Sequence, residues 1–318
     1  MKIIITDLDH ADQNMEKDIF AKAGMDFDLL ECKTEDDLIA MAKGANIALN
    51  QYAPFNKRVF DALPDLKQII RYGVGVNNVD LKAAKDAGVQ VCNVPDYGMH
   101  EVSDHAIAMS LTLVRKVMSM NKSVHDGVWD FTVAAPIRRF CEMTVGVVGL
   151  GRIGRLYAEK MHQLGFKVIG YDKFYQPSVE DGTGHIKAAT LDNVIEQADL
   201  VALFCPVTDE NYHMIDAAAL NRMKTGSYII NTSRGGLVDE DALAKALKSG
   251  KIAAAALDTT ETEPLPSDSP LRAIETCLIT PHMAWYSDDS ALELKRKVAE
   301  EAVRFARGEP IKWGLVDL

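Results

Sequence analysis

Short apolar runs alternate with amphipathic stretches along most of the chain, the pattern that repeated βα units leave in a sequence. Lys2–Thr6, Asp26–Cys32, Ala45–Gln51, Leu66–Tyr72 and Gln90–Val94 read as strands. Glu16–Ala23, Glu35–Lys43, Lys57–Leu63 and Asp80–Ala87 read as the helices connecting them. This first region is predicted to be a small α/β domain with a parallel sheet. Pro95–Met99 then marks a crossing point between domains.

From Glu101 to about Val124 the apolar residues Ile107, Leu111, Val114 and Met118 recur on one stripe, which predicts a single long helix packed in a core or against a second subunit. His105 and His125 on it read as structural histidines. Gly127–Phe140 is a polar and aromatic loop carrying Trp129, Pro136, Arg138 and Arg139. Thr144–Leu150 follows as a continuous apolar run, as expected of a strand buried on both faces. It runs into Gly149-Leu150-Gly151-Arg152-Ile153-Gly154. Ile153, Leu156, Tyr157, Met161 and Leu164 then share a helical face, Gly165 supplies a stop, and Phe166–Tyr171 forms a second strand ending at Asp172.

The strand, glycine turn, helix and acid together predict a dinucleotide site. The first glycine permits the tight turn, the second lets backbone approach a pyrophosphate, and the third packs helix on strand. The N–H groups of Gly149, Gly151, Arg152, Ile153 and Gly154 would face the phosphates. Asp172, about 20 residues beyond the glycine turn, would bind the adenine ribose. A carboxylate there repels a 2′-phosphate, so NAD is expected rather than NADP. A glycine turn in an ordinary α/β unit is the bland alternative, and the flanking strand, helix and acid argue against it.

Beyond Asp172 further strands are expected at Leu200–Cys205, Ser227–Ser233, Ile252–Asp258 and Cys277–Pro281, with Asp239 capping a helix that Gly250 closes. The last helix, roughly Ser290–Arg307, follows the final strand and is expected to return to the first domain. The predicted architecture is therefore a Rossmann-type doubly wound parallel sheet, residues 99–287, plus a smaller flavodoxin-like α/β substrate domain, residues 1–98 with 288–318.

Composition narrows the function. A net charge of -11 over 318 residues argues against nucleic acid as the partner. No apolar run approaches the ~18 residues of a membrane span, and the N-terminal run is too short for a secretory signal. The five cysteines are odd in number and show no paired CxxC spacing, as expected of reduced thiols in a cytoplasmic protein without a structural metal.

Ligands of open α/β sheets bind beyond the carboxyl ends of the strands. The polar residues predicted there are Arg71, the turn through Val74 and Gly75, Cys205-Pro206, Thr232-Ser233-Arg234, Asp258 with Glu263, and Pro281-His282. Hydride transfer to a 2-keto acid needs a gripped carboxylate, a polarised carbonyl and a proton. Arg234 offers a planar fork and positive charge for the first two. A histidine such as His282 can exchange the proton, and Glu263 would orient it. Backbone N–H groups at Val74 and Gly75 could receive a substrate carboxylate. Alone, such an arginine reads as a surface ion pair and such a glutamate as a solvated loop residue. Their joint appearance downstream of a nucleotide motif carries the functional assignment.

With those residues in view, the chain resembles the NAD-dependent D-2-hydroxyacid dehydrogenases over essentially its full length. RYGVGVNNVD at Arg71–Asp80, NVPDYGMHEVSDHA at Asn93–Ala106, GLGRIG at Gly149–Gly154, NTSRGGLVDEDAL at Asn231–Leu243, LDTTETEP at Leu257–Pro264 and TPHMAWYS at Thr280–Ser287 carry the resemblance. It implies that Arg234, Glu263 and His282 are catalytic. It also implies that Asp172, Cys205, Pro206, Thr232, Ser233, Asp258 and Trp285 touch NAD, and that Arg71, Val74, Gly75 and Arg234 meet the substrate. Trp285, Tyr52 and Met99 are candidates to line its side-chain pocket. The lead-in PIRRF and the Trp after PHMA resemble the branch of the C-terminal binding proteins, beside the phosphoglycerate dehydrogenases. Asn77, where the family often has Asp, and Thr259-Thr260, in place of Val-Phe, depart from its pattern. The family implies a homodimer, for which the helix after Glu101 is the candidate interface. The rival expectation is an NAD(H)-responsive binding protein, a corepressor-like sensor with little turnover.

Overall fold

The computed structural model describes residues 1–9 and 12–316, and the chain divides into two compact units, Met1–Gly98 with Ser287–Leu318, and Met99–Tyr286. In the first unit β1 (Ile3–Ile5), α1 (Asn14–Ala23), β2 (Phe27–Leu29), α2 (Glu35–Met41), β3 (Ile47–Asn50), α3 (Lys57–Ala62), β4 (Gln68–Arg71), α4 (Leu81–Asp86) and β5 (Gln90–Cys92) alternate strictly. The strands pair in parallel in the order β2-β1-β3-β4-β5, the flavodoxin-like arrangement.

The period of two along each strand sorts the apolar residues into two layers. Ile4, Ala48, Ile69 and Val91 face one core with Leu38, Val59 and Phe60. Ile3, Ile5, Leu49 and Ile70 face the other. Side-chain caps at Thr34, Asn56 and Asp80 start α2, α3 and α4.

The second unit holds α5 (Met99–Val114), α6 (Val117–His125), β6 (Thr144–Val148), α7 (Arg152–Gln163), β7 (Lys167–Tyr171), β8 (Ile186–Ala188), α8 (Leu191–Gln197), β9 (Leu200–Leu203), α9 (Ala217–Arg222), β10 (Ser227–Asn231), α10 (Glu240–Lys248), β11 (Ile252–Leu257) and β12 (Cys277–Ile279). Its sheet runs β12-β11-β10-β9-β6-β7-β8, all parallel, with the strand order reversing between β6 and β9. This is the doubly wound Rossmann order, whose ligand crevice lies at the reversal. The final helix, α11 (Asp288–Ala306), belongs to the first unit, where Leu294, Val298, Ala299 and Ala302 complete the core containing Ile3 and Ile5. Among the described residues no helix is long and apolar enough to cross a membrane.

Three expectations are corrected. The single helix from Glu101 to Val124 is two helices, broken where Lys116 adopts a left-handed conformation at φ 54°. The buried face of α5 is Ser103, Ala106, Met109, Ser110, Leu113 and Val114; of the expected stripe Val114 is therefore buried, Ile107 and Leu111 are only partly buried, and Met118 is exposed. Small side chains let α5 lie close to α7, so the face that packs is the one a hydrophobicity stripe overlooks. On α7 the buried set is likewise Gly154, Tyr157, Ala158 and Met161, with Leu164 exposed. Edge strand β8 has only Ile186 buried, too little apolar signal for its pattern to have been read.

Candidate active site

At the end of β6, Gly149 has φ +94°, and a Cβ on it would stand 2.6 Å from the Cys205 nitrogen and 2.7 Å from the Phe204 carbonyl carbon. A Cβ on Gly154 would stand 1.9 Å from the Gly149 oxygen. Both positions therefore require glycine, one for the turn and one for the close packing of helix on turn. Gly151, the N-cap of α7, has nothing within 4 Å of its Cβ position. Its bare backbone leaves an open approach to the helix N-terminus, beside the amides of Arg152 and Ile153.

Asp172 braces this turn. One carboxylate oxygen accepts from the Leu150 N–H at 2.7 Å, and the other accepts from Phe174 at 2.8 Å and Tyr175 at 3.0 Å. At the neighbouring strand ends, the Ser233 hydroxyl donates to the Cys205 carbonyl at 2.5 Å and the Pro206 carbonyl accepts from Asn211 at 2.8 Å. Ser233 and Pro206 thus fasten the rim together. Burial pushes the half-buried Cys205 thiol up to about 11, so it presents a neutral, weakly polar wall. Thr232 Oγ1 is buried without a hydrogen-bond partner at the end of β10. A glycine cradle, an open helix N-terminus, a braced acid and an orphaned hydroxyl at the sheet's reversal point fit NAD.

The proton-transfer candidates converge on the ends of β10, β11 and β12. His282 Nδ1 lies 2.7 Å from Glu263 Oε2, and Glu263 Oε1 accepts from the Thr260 N–H at 3.1 Å. Burial pushes the Glu263 carboxyl up, but His282, the Thr260 N–H and the nearby Arg234 guanidinium outweigh it and hold the group below the usual carboxylate range. With Nδ1 facing Glu263, Nε2 is the ring atom left to exchange a proton. Arg234 donates from Nη1 to the Ser233 carbonyl at 2.6 Å, and its own carbonyl is held by Asn231 Nδ2 at 2.8 Å.

His282 adopts φ 53°, a conformation that the loop around it enforces. Its N–H donates to the Asp258 carbonyl at 2.8 Å. The buried Asp258 carboxylate accepts from the N–H groups of Met283 and Ala284, both at 2.9 Å, and from the Thr280 hydroxyl at 2.5 Å. Asp258 is therefore an anchor for the histidine turn in addition to being a candidate cofactor contact. Because the Thr280 hydroxyl donates to Asp258, its oxygen accepts from His105 Nε2 at 3.1 Å. His105 thus has a named structural partner, whereas His125 is exposed on α6. Trp285 stands edge-on to Tyr286, with ring centroids 5.5 Å apart.

Sequence reasoning overlooked Thr280 as the link between Asp258 and His105. Asp258 and Thr280 each follow directly on residues paired in register, Leu257 and Ile279, so strand register is the signal that joins them.

On the first unit, Arg71 ends β4 and donates from Nη1 to the Tyr72 carbonyl. The following turn is held by Asn93, whose Nδ2 donates to the Val74 carbonyl at 2.7 Å. Val74 is exposed and Gly75 partly buried. Tyr52 is exposed as well, its hydroxyl donating to Asp9 at 2.7 Å, while Met99 opens α5 on the second unit.

Residues 107–284 match the family model described as D-isomer specific 2-hydroxyacid dehydrogenase, NAD binding domain. The chain is 36% identical over 259 residues to a glyoxylate reductase of Korarchaeum cryptofilum, covering 80% of this chain and 78% of the relative. It is 33% identical over 281 residues to a hydroxypyruvate reductase of Blautia hydrogenotrophica, covering 87% of each. Among solved structures, a D-lactate dehydrogenase from Aquifex aeolicus complexed with NAD and lactic acid shares a TM-score of 0.85 at 26% identity, over 96% of both chains.

Proposed function

The chain belongs to the D-isomer-specific 2-hydroxyacid dehydrogenase family and is an NAD-dependent oxidoreductase acting on the CH–OH group of 2-hydroxy acids; on that premise we propose that it reduces a small 2-keto acid with His282 as the proton donor. Glyoxylate and hydroxypyruvate, the substrates named for two of its relatives, are the first to try. The carrying observation is the 2.7 Å contact of His282 Nδ1 with Glu263.

Bound NADH supplies the hydride that reduces C2. His282 Nε2 delivers a proton to the substrate's carbonyl oxygen, and withdraws it in the reverse direction. Glu263 fixes the ring orientation and offsets the imidazolium charge. Arg234 grips the substrate carboxylate and polarises the carbonyl. Gly149, Gly151, Arg152, Ile153 and Gly154 hold the pyrophosphate and Asp172 the adenine ribose. Cys205, Pro206, Thr232, Ser233, Asp258 and Trp285 form the rest of the cofactor wall. Arg71 and the amides at Val74 and Gly75 are assigned to the substrate carboxylate, and residues 1–98 with 288–318 to a substrate domain.

We also assign a homodimer. Its support is the run from α6 to the loop after it, where α6 buries no residue and Val117, Trp129, Phe131 and Val133 are all exposed. Five free cysteines favour a reducing compartment, the cytoplasm.

The test is NADH oxidation against glyoxylate, hydroxypyruvate, pyruvate and phenylpyruvate. His282→Asn serves as the control, because asparagine tolerates the left-handed backbone at this position. Turnover should fall about 10²–10⁴-fold in the variant. Tight NADH binding with no keto acid reduced would instead favour an NAD(H)-responsive binding protein. Sedimentation of the wild type at the monomer mass would exclude the dimer.

A further inference from the structure

One carboxylate outside the proposed proton-transfer set joins the loops that follow three successive strands. Glu261 Oε2 accepts from the Tyr212 hydroxyl at 3.1 Å, and Glu261 Oε1 is 2.9 Å from His213 Nε2. Tyr212 and His213 stack with centroids 4.0 Å apart, and both lie on the segment after β9. Glu261 and Glu240 also cap each other, each backbone N–H donating to the other's carboxylate. The Glu261 N–H donates to Glu240 Oε1 at 2.7 Å, and the Glu240 N–H to Glu261 Oε1 at 3.3 Å.

Glu240 opens α10, at the far end of the loop that begins with Arg234. Glu261 lies two residues before Glu263, on the loop after β11. Only about a quarter of its side chain is exposed.

The backbones beneath this carboxylate are in close contact. A Cβ on Gly235, next to Arg234, would stand 2.0 Å from the Thr260 carbonyl carbon, and one on Gly236 would stand 3.0 Å from the Tyr212 ring. His213 N–H donates to the Gly236 carbonyl at 2.8 Å, and Ile215 pairs with Val238 as a parallel bridge. The loops bearing Arg234 and Glu263 are thus joined to each other and to the segment after β9 through Glu261.

We propose that Glu261 is a positioning residue for the reaction, a clamp that sets the placement of Arg234 and Glu263 by tying the β9, β10 and β11 loops together. This rests on the assignment of Arg234, Glu263 and His282 to the chemistry. Misplacing reacting groups by about an ångström costs on the order of 100-fold in rate. A loosened clamp therefore acts on kcat, whereas cofactor binding at the glycine turn is left alone.

The test compares Glu261→Ala, Glu261→Gln and Tyr212→Phe with the wild type. Wild-type turnover, and its loss in His282→Asn, establish the underlying chemistry first; absence of wild-type turnover overturns the dehydrogenase assignment and this inference with it. Glu261→Ala should lower kcat about 10- to 100-fold, with the NADH dissociation constant, read by nucleotide fluorescence, within about twofold. The acid limb of kcat should move to higher pH, because the displaced Thr260 N–H and Arg234 guanidinium no longer hold the Glu263 carboxyl down; in Glu261→Gln, which removes the same negative charge but keeps the placement, the limb should not move up. Glutamine keeps an acceptor oxygen and should recover most of kcat. If the alanine variant does not fold, Tyr212→Phe, which removes one donor, should still show the same limb shift with a smaller loss. Wild-type kcat and an unmoved acid limb in a folded Glu261→Ala protein, or a glutamine variant no better than alanine, would overturn the proposal.

Discussion

Asp172 combines a mechanical and an electrostatic role, and a single substitution separates them. Its oxygens accept three backbone N–H groups that shape the glycine turn and the start of the next loop. In the proposed cofactor site its charge would face an incoming 2′-phosphate. Beside it Lys173 is held at 2.7 Å by Glu210, which offsets a cation that could attract such a phosphate. Asp172→Asn keeps one acceptor oxygen and removes the charge. The ratio of NADH to NADPH efficiency should therefore fall about tenfold, since relieving such a repulsion is worth about 1–2 kcal/mol. Adenosine 2′,5′-bisphosphate should gain affinity relative to 5′-AMP, measured by calorimetry; an unchanged ratio would remove Asp172 from cofactor choice. At this scale the sequence is legible where chemistry dictates residue type, as at Gly149, Gly154, Glu263 and His282. It is opaque where function depends on hydrogen bonds between distant segments. Nothing local to His105 announces Thr280, and nothing local to Glu261 announces Tyr212.

The packing of α5 on α7 shows why a helix's face is less legible in sequence than its position. The Ser110 hydroxyl donates to the Ala106 carbonyl at 2.7 Å, so the Tyr157 hydroxyl, 2.8 Å away, must be the donor to Ser110. Burial pushes the Tyr157 phenol well up, keeping it a neutral donor. Ser110→Ala strands that buried hydroxyl and should cost about 1–3 kcal/mol, while adding Tyr157→Phe should return most of the loss. Urea unfolding of the two single variants and the double variant measures the coupling, and strict additivity would deny it. A stripe of large apolar residues gives serine and alanine little weight, so it turns α5 toward Ile107 and Leu111. The helix ends are legible because they depend on one residue each: Gly165 and Gly250 take positive φ, and Asp239 caps α10 through the Ala242 N–H at 2.9 Å.

Across the whole chain, the most consequential sequence feature is that the first unit is finished by the last helix. The β2-β1-β3-β4-β5 sheet presents Ile3, Ile5, Leu49 and Ile70 to a layer that α1 covers only in part. Leu294, Val298, Ala299 and Ala302 of α11 supply the remainder. Lys295 Nζ donates to the Asp12 carbonyl at 2.5 Å and Lys297 Nζ to Asp96 at 2.8 Å, so the middle of the helix is pinned as well as packed. Each fully buried leucine or valine contributes roughly 1.5–3 kcal/mol. Losing α11 therefore removes an amount comparable with the ~5–15 kcal/mol that holds a domain together. Residues 99–286 have their own closed core and should unfold cooperatively alone while still binding NADH. Residues 1–98 alone should bind a hydrophobic dye and lack a cooperative transition. Joining 287–318 to residue 98 through a flexible linker should restore that transition. Cooperative unfolding of 1–98 without α11 would mean that the first five strands and their own helices suffice, and that the return of the chain serves some end other than the stability of this unit.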